Sequence, residues 1–443
     1  MTVINRVKKR ALSVLLLVAV AILGMGYYTV RYVIFGADWA SAPFNATAFR
    51  RGVLAVGVVN DRNGVELAGV TDGRRSFADS AEVRRATLHA VGDTEGNVGT
   101  GALVAFAPEL MGYNLITGSY SVGGSGRRVS LTVDSNLNAT ALRALDGRRG
   151  VVMVSNYKTG EILCMVSSPT FDPANPPDNF ASSSYEGVFL NRGIQSDYTP
   201  GSVFKLVTAA AAIEKVRNVY TQTFVCTGSM EIGGDLLICP GQHGSIDIER
   251  GMQVSCNIVY GSLAMEMSAD IMAEYTAKYG LSSRNSVSGI NTASGNFDRA
   301  SSNINLAWSG VGQYRNLVCP ASMLRFVGAI ANDGTAVELH YLKRTGIFGA
   351  LPASSSRIIN RSTALQLSDL IEIQNRDSFP GLEIYAKSGT AQVGSNVEPH
   401  AWYVGYITNP GYPLAFVVVV ENGGGGFAVA SPIANRVLQE AIK

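Results

Sequence analysis

The sequence is short of charge. Lys, Arg, Asp and Glu make up 16% of its 443 residues, against roughly a quarter in an average soluble protein, which excludes a highly charged, disordered chain. The charges present nearly cancel, 36 basic against 34 acidic for a net +2, so no nucleic-acid-binding surface is expected. Metal-ligating residues are scarce as well: five cysteines and four histidines, with no CxxC pair and no HExxH string. That scatter gives no expectation of a metal or of any other cofactor. The first cysteine is Cys164, which excludes a lipid-modified cysteine near the N-terminus as an anchor. Internal repeats and low-complexity linkers are absent too.

What the chain has in quantity is apolar sequence, at 47%, and glycine, at 48 residues. Arg6, Lys8, Lys9 and Arg10 precede an apolar run over residues 11–28, with no further charge until Arg31. A run close to ~20 residues suits one bilayer-spanning helix, and the basic cluster ahead of it orients the N-terminus to the cytoplasm. Ala40-Ser41-Ala42 offers a signal-peptidase-like A-x-A string, but it lies well past the apolar run, so a retained anchor is expected rather than a cleaved signal. The expected organisation is a cytoplasmic tail (1–10), a transmembrane anchor (11–30), a small β-rich pedestal (38–145) and one main domain (146–443) outside the membrane.

Local patterns place the elements. Apolar residues 53–59 and 65–70 flank the turn Asp61-Arg62-Asn63-Gly64 and read as a hairpin. Residues 131–134 read as a strand leading to a helix over 138–145, and strands follow over 150–154 and 161–167. Residues 202–215 are apolar almost all round, as in a buried helix. Near the C-terminus, 401–408 and 414–421 are strands; the continuous run Phe416-Val417-Val418-Val419-Val420 should be central and covered on both faces. A last helix is expected over 431–442, with Pro432 in its first turn. Strands at both ends of the domain with helices between them indicate an α+β fold, an antiparallel sheet with a helical subdomain.

Three strings carry chemistry. In Tyr198-Thr199-Pro200-Gly201-Ser202-Val203-Phe204-Lys205, Thr199 is placed to cap a helix, and Ser202 and Lys205 lie one turn apart on one face. A serine hydroxyl needs a base to become a nucleophile, and a buried lysine with a lowered pKa can serve. Ser255-Cys256-Asn257 supplies a hydroxyl and an amide, suited to passing a proton and holding a substrate amide. Lys387-Ser388-Gly389-Thr390 supplies a cation and hydroxyls for a carboxylate, with a glycine that admits a substrate backbone beside an edge strand.

S-x-x-K, S-x-N and K-[ST]-G in this order form the signature shared by penicillin-binding proteins and serine β-lactamases. The chain resembles a class B penicillin-binding protein, a short, membrane-anchored peptidoglycan D,D-transpeptidase, over most of its length. Further similar strings are Gly57-Val58-Val59-Asn60-Asp61-Arg62-Asn63-Gly64, HAVGDTEGNVGTG at 89–101, Lys158-Thr159-Gly160-Glu161, Phe171-Asp172-Pro173, Asn191-Arg192, Gly310-Val311-Gly312-Gln313, Ala331-Asn332-Asp333-Gly334 and His400-Ala401-Trp402-Tyr403. Val56 departs from an arginine common in the family, and Ser388 from a threonine, a change that keeps the hydroxyl. The resemblance implies a transpeptidase domain like those of penicillin-binding proteins and serine β-lactamases, on a pedestal with one N-terminal transmembrane helix. It implies Ser202 as nucleophile toward D-Ala-D-Ala stem peptides, Lys205 as its base, and Ser255 with Lys387 as a proton relay. Asn257 would orient the donor, Ser388 and Thr390 would hold its carboxylate beside Gly389, and the N–H groups of Ser202 and Thr390 would form the oxyanion hole. β-Lactam antibiotics would acylate Ser202. The region ahead of the catalytic domain is too short for the glycosyltransferase of class A enzymes, so a polytopic membrane glycan polymerase is implied as a partner. A β-lactamase, a D,D-carboxypeptidase and a non-catalytic sensor or scaffold are the rival readings.

The cysteines are less telling. Cys226 and Cys239 bracket a hairpin-like stretch, which leaves open a disulfide or two separate thiols. Cys256 reads as packing within its motif, and Cys164 and Cys319 read as core. His243 and His400 have no visible partner for metal or triad chemistry, so structural roles are expected for both.

Overall fold

The computed structural model describes residues 3–40, 57–111, 126–343, 352–371, 373–374 and 379–443. Residues 53–56 of the expected first strand, Val56 among them, and Ser41-Ala42 of the A-x-A string lie outside the described residues. Helix α1 (Val3–Ala40) contains a stretch, Val7–Phe35, of mean hydropathy 2.2 that is long and apolar enough to cross a membrane. Its leucines, Leu12, Leu16 and Leu23 among them, point away from the rest of the protein.

The hairpin read around the Asp61 turn forms, with β1 (Val58–Asn60) antiparallel to β2 (Glu66–Thr71). Strand β3 (Arg74–Phe77) extends it, and β4 (Arg128–Ser130) joins β1 in parallel, in the order β3-β2-β1-β4. Helix α2 (Ala81–Val91) packs beside this sheet. Helix α3 (Ser135–Leu145) begins three residues earlier than expected, because Asp134 caps it by accepting the N–H groups of Asn136 and Leu137.

Asp61 joins the two halves of the chain. It is 1% exposed; Oδ1 accepts the N–H groups of Asn63 and Val65, while Oδ2 accepts the Ser135 hydroxyl at 2.8 Å and its N–H at 3.2 Å. One carboxylate thus closes its own turn and grips the start of α3. The Arg84 guanidinium of α2 meets both oxygens of Asp172 at 2.7 and 2.6 Å, a fork geometry that fixes orientation as well as charge. The apolar core is continuous across the same seam: Val59, Leu67 and Val129 belong to one cluster with Val151, Ile162 and Val203.

Beyond β5 (Gly150–Asn156) and β6 (Ile162–Ser168) the chain leaves the sheet. The excursion contains α4 (Lys205–Lys215), the short strands β7 (Phe224–Cys226), β8 (Ser229–Ile232), β9 (Asp235–Ile238) and β10 (Gly244–Ile246), and the helices α5 (Ile248–Gln253), α6 (Asn257–Met267) and α7 (Pro320–Ala331). It returns as β11 (Ile373–Gln374), β12 (Ile384–Ala391), β13 (His400–Ile407) and β14 (Leu414–Val420), and ends in α8 (Gly426–Ala441). The sheet order is β11-β12-β13-β14-β5-β6, antiparallel throughout.

The expected central strand is central. β14 is paired on both sides and buried at all seven positions. Its side chains alternate between faces: Phe416, Val418 and Val420 join Leu145, Ile433 and Val437 under α3 and α8, while Val417 and Val419 join Val207, Leu324 and Val327 under α4 and α7. Two helical layers sandwich one antiparallel sheet, which is the α+β arrangement expected. The last helix departs from expectation. It begins at Gly426, so Pro432 lies inside it rather than in its first turn. The Thr390 hydroxyl accepts the Gly426 N–H at 3.1 Å, and the helix N-terminus is built against β12.

Replacing Asp61 by Ala removes a buried acceptor of four hydrogen bonds and is expected to cost at least about 1.5–3 kcal/mol. The measurement is chemical or thermal denaturation of the full chain against Asp72→Ala, a substitution at an exposed turn.

Candidate active site

The serine–lysine string does not start a regular helix. Residues Gly201–Phe204 form a 3₁₀ turn that runs into α4, Pro200 stands at its start, and no side chain caps it. Thr199 is therefore not the cap expected; its carbonyl instead accepts the Trp402 indole N–H at 3.0 Å. The tighter winding matters, because at three residues per turn positions i and i+3 eclipse. Lys205 consequently stands directly beside Ser202, with Nζ 3.0 Å from its Oγ.

The turn is wedged between neighbours that permit no Cβ. Gly201 has φ +56° and donates its N–H to the Gly312 carbonyl at 2.8 Å. Gly312 has φ +78°, and a Cβ there would lie 2.1 Å from the Gly201 oxygen. On the other side a Cβ on Gly389 would lie 2.9 Å from the Pro200 oxygen. The glycine of the third string thus admits the close approach of the Ser202 turn to β12.

Ser255 and Asn257 reach the same lysine from the other side. Helix α5 ends in a paired closure, Cys256 N–H to the Gly251 carbonyl and Ser255 N–H to the Met252 carbonyl, the motif that demands a left-handed residue. Ser255 occupies it at φ +54°, where glycine is usual. Its carbonyl and hydroxyl lie 2.6 and 3.1 Å from Lys205 Nζ, and Asn257 Oδ1 lies 2.7 Å away. Lys387 Nζ meets the same Ser255 hydroxyl at 3.0 Å. Five of the residues expected from sequence, Ser202, Lys205, Ser255, Asn257 and Lys387, therefore converge on one hydrogen-bond network.

Burial sets its protonation. Lys205 is fully buried, and its pKa is held well below that of an ordinary lysine by desolvation, with the Lys387 charge adding to the effect. Lys387 is lowered by burial to about 8. A neutral Lys205 has two N–H bonds and one lone pair. The two carbonyl oxygens at 2.6 and 2.7 Å take the hydrogens, leaving the lone pair for a hydroxyl proton such as that of Ser202. This is the arrangement a general base needs.

The remaining expected residues line the open edge of the sheet. β11 pairs only with Ile384 and Tyr385 of β12, so residues 387–391 have β13 on one side and no strand among the described residues on the other. The pleat puts Ser388 and Thr390 on one face, opposite Lys387 and Gly389. A cavity of about 150 Å³ opens beside Lys387 and Ser388, lined also by Met252, Gln253, Tyr403 and Phe427.

Two readings of single residues change. Cys226, Cys239, His243 and Cys256, taken from sequence as scattered, have their ligand atoms within 4.8 Å of one another. His243 is thus not partnerless, and Cys256 is not packing alone; folding brings together positions as much as 30 residues apart, without any CxxC spacing to announce it. The structure carries Cys226 and Cys239 as separate thiols, and Cys164 and Cys319 are buried as expected. Other strings that look chemical are scaffolding: Arg192 pairs with Glu421 at 2.8 Å, which also accepts the Tyr198 hydroxyl at 2.7 Å, and Lys158 donates to Asn332 at 2.8 Å.

Gly312→Ala drives a methyl group into backbone and is expected to destabilise the fold by at least about 1–3 kcal/mol while displacing Ser202. Gly64→Ala, at φ +87° with nothing within 4 Å of its Cβ, controls for the dihedral alone. Denaturation and the rate of covalent serine labelling, read for both variants, separate the clash from the strain.

Comparison with known proteins agrees with this geometry. The family model for the penicillin binding protein transpeptidase domain matches residues 150–439. Peptidoglycan D,D-transpeptidase PbpA of Mycolicibacterium smegmatis is 26% identical over 360 residues, 72% of this chain and 73% of that one. Stage V sporulation protein D of Bacillus subtilis is 27% identical over 358 residues, 73% of this chain and 54% of its own. Among solved structures, penicillin-binding protein A of M. tuberculosis in its penicillin G acyl-enzyme complex superposes with a TM-score of 0.75 at 23% identity, covering 88% of this chain and all of that one. With the matched domain spanning the whole six-stranded sheet up to the last helix, the chain belongs to the penicillin-binding protein transpeptidase family, as a class B member.

Proposed function

We propose that this chain cross-links peptidoglycan stem peptides as a serine D,D-transpeptidase, with Ser202 as the acylated residue. The observation that carries the reading is the buried Lys205 nitrogen 3.0 Å from Ser202 Oγ, with its hydrogens committed to Ser255 O and Asn257 Oδ1. Relatives named peptidoglycan D,D-transpeptidases, and a similar fold solved as a penicillin G acyl-enzyme, support the same chemistry.

The steps balance on these groups. Lys205 takes the Ser202 proton as Oγ attacks the carbonyl of the penultimate D-Ala. The backbone N–H groups of Ser202 and Thr390 stabilise the oxyanion. Lys205 returns the proton through Ser255, beside Lys387, to the departing D-Ala nitrogen as the C–N bond breaks. An amine from a neighbouring stem peptide then attacks the ester, gives its proton to Lys205, and Ser202 leaves with that proton restored. Lys387, Ser388 and Thr390 hold the terminal carboxylate of the donor, alongside Gly389, and Asn257 orients its amide. β-Lactams acylate Ser202 by the first half of this sequence.

The location follows from α1. Arg6, Lys8, Lys9 and Arg10 precede its apolar stretch, which supports a cytoplasmic N-terminus and an extracytoplasmic catalytic domain. A polytopic membrane polymerase that makes the glycan strands is the partner the family likeness supports, delivering nascent strands beside the anchor.

Lipid-linked precursor supplied with a cognate polymerase and the full chain should yield cross-linked dimers by mass spectrometry, and Ser202→Ala should yield none. Trimmed stem peptides alone would indicate a carboxypeptidase, and rapid repeated hydrolysis of penicillin a β-lactamase. Acylation by penicillin should also fall as pH rises through about 8, because a lysine is charged only below its pKa and the Lys387 charge draws the carboxylate. In Lys387→Arg the cation persists, so the alkaline limb of the residual rate should move to higher pH; an unmoved limb assigns it elsewhere.

A further inference from the structure

The two N–H groups proposed for the oxyanion hole belong to different parts of the fold. Ser202 lies in the turn Gly201–Phe204, and Thr390 lies in β12. Two donors stabilise an oxyanion only when both stand at hydrogen-bond distance from one point, so the turn must be fixed against the strand. Just ahead of the turn, the Trp402 indole holds the Thr199 carbonyl to β13. At Gly201 the fixing passes through the loop after the helix at Asn303–Gly310, which no step of the acyl transfer uses.

Two consecutive residues of that loop grip the two halves. The Gly312 carbonyl accepts the N–H of Gly201, the residue before Ser202, at 2.8 Å. Gln313 reaches the other way. With its amide turned so that both ends find partners, it donates to the Gln392 carbonyl at 3.2 Å and accepts the Gln392 N–H at 3.1 Å. This is the pair of bonds that a residue of a neighbouring strand would exchange. Gln392 lies one residue past Ala391, the last of β12 to pair with β13. Main-chain groups two residues apart on a strand point to the same edge, so the edge that Gln313 covers is the one that carries Thr390. The Ser202 turn stands at that edge too, since a Cβ on Gly201 would lie 2.7 Å from the Thr390 oxygen.

The loop offers Gln313 a fixed base. Its N–H donates to the Trp308 carbonyl at 2.9 Å, and the Gly312 N–H donates to the Ser309 carbonyl at 2.9 Å. The same Ser309 carbonyl accepts the side-chain amide of Asn316 at 2.8 Å, and Asn316 is fully buried. We infer that Gln313 is a positioning residue for acyl transfer: by binding the main chain of Gln392 as a strand would, it sets the spacing between the Ser202 turn and Thr390. This role rests on the acyl-transfer reading of Ser202 and Thr390. A spacing error weakens the charged tetrahedral state more than the bound neutral substrate, because only that state needs both donors. A bond that merely steadied the end of β12 would make no such distinction.

The test follows acylation of the full chain in detergent by fluorescent penicillin over a range of concentrations. Gln313→Met, close in size but without the amide, and Gln313→Ala should both be labelled to the wild-type stoichiometry. Their saturating rate should fall by about tenfold to a hundredfold, with the half-saturating concentration unchanged. A boronic acid, which adds to a serine oxygen as an anionic tetrahedral adduct, should lose affinity by the same factor. Gln222→Ala, where the amide meets Glu266 at the surface, should match wild type in both. Wild-type rates in the two Gln313 variants overturn the role. A loss seen only as a smaller labelled fraction, or only as a higher half-saturating concentration, also overturns it, and so does slower labelling with boronate affinity unchanged. All of these leave the acyl-transfer reading standing. Wild-type protein that takes no penicillin overturns that reading, and this role with it.

Discussion

A lysine nitrogen with no access to water holds the site together. Lys205 is fully buried, so its charged form is disfavoured, and Lys387 nearby disfavours it further. In water the same side chain would be protonated and useless as a base at neutral pH. Everything around it serves that one condition: the 3₁₀ turn that lays it against Ser202, the Ser255 carbonyl and Asn257 amide that occupy its hydrogens, and the apolar shell of α4 that keeps solvent away. Remove the burial and the pair becomes a serine beside an ordinary ammonium group.

That burial depends in turn on close backbone approaches. The Ser202 turn lies between the Gly312 loop and β12, and at both contacts a single methyl group would meet backbone atoms. The sheet supplies the rigidity. β13 carries Trp402, whose indole holds the Thr199 carbonyl, and β14 locks β13 from behind with seven buried residues. The small N-terminal sheet is part of the same body, through the continuous core and through Asp61 and the Arg84–Asp172 pair. A site that must hold several polar atoms within hydrogen-bond distance gains from resting on packed strands and not on loops alone.

The cluster of three thiols and an imidazole changes how the corner beside Lys205 is understood. Ser255-Cys256-Asn257 looks in sequence like two working residues around a spacer. In the fold the spacer faces the thiols of Cys226 and Cys239 and the ring of His243, while its neighbours on either side face Lys205. One tripeptide thus has contacts to Lys205 on one side and contacts to thiols and an imidazole on the other, which links the order of the hairpin lobe to the order of the network.

The sequence by itself determined the class of fold and the chemistry. Short-range signals were sufficient there: alternation and apolar runs mark the strands, and the three strings in their order carry polar side chains that the fold gathers around Lys205. It misjudged the start of the last helix, the cap at Thr199 and the isolation of His243. Each of those depends on what lies across the fold: the Thr390 hydroxyl under Gly426, the Trp402 indole on Thr199, and three thiols around one imidazole. Only the tertiary structure decided these, because a propensity or a spacing reports a residue's own neighbours along the chain, whereas a close approach, a buried charge or a thiol cluster exists only once distant segments share the same few ångströms.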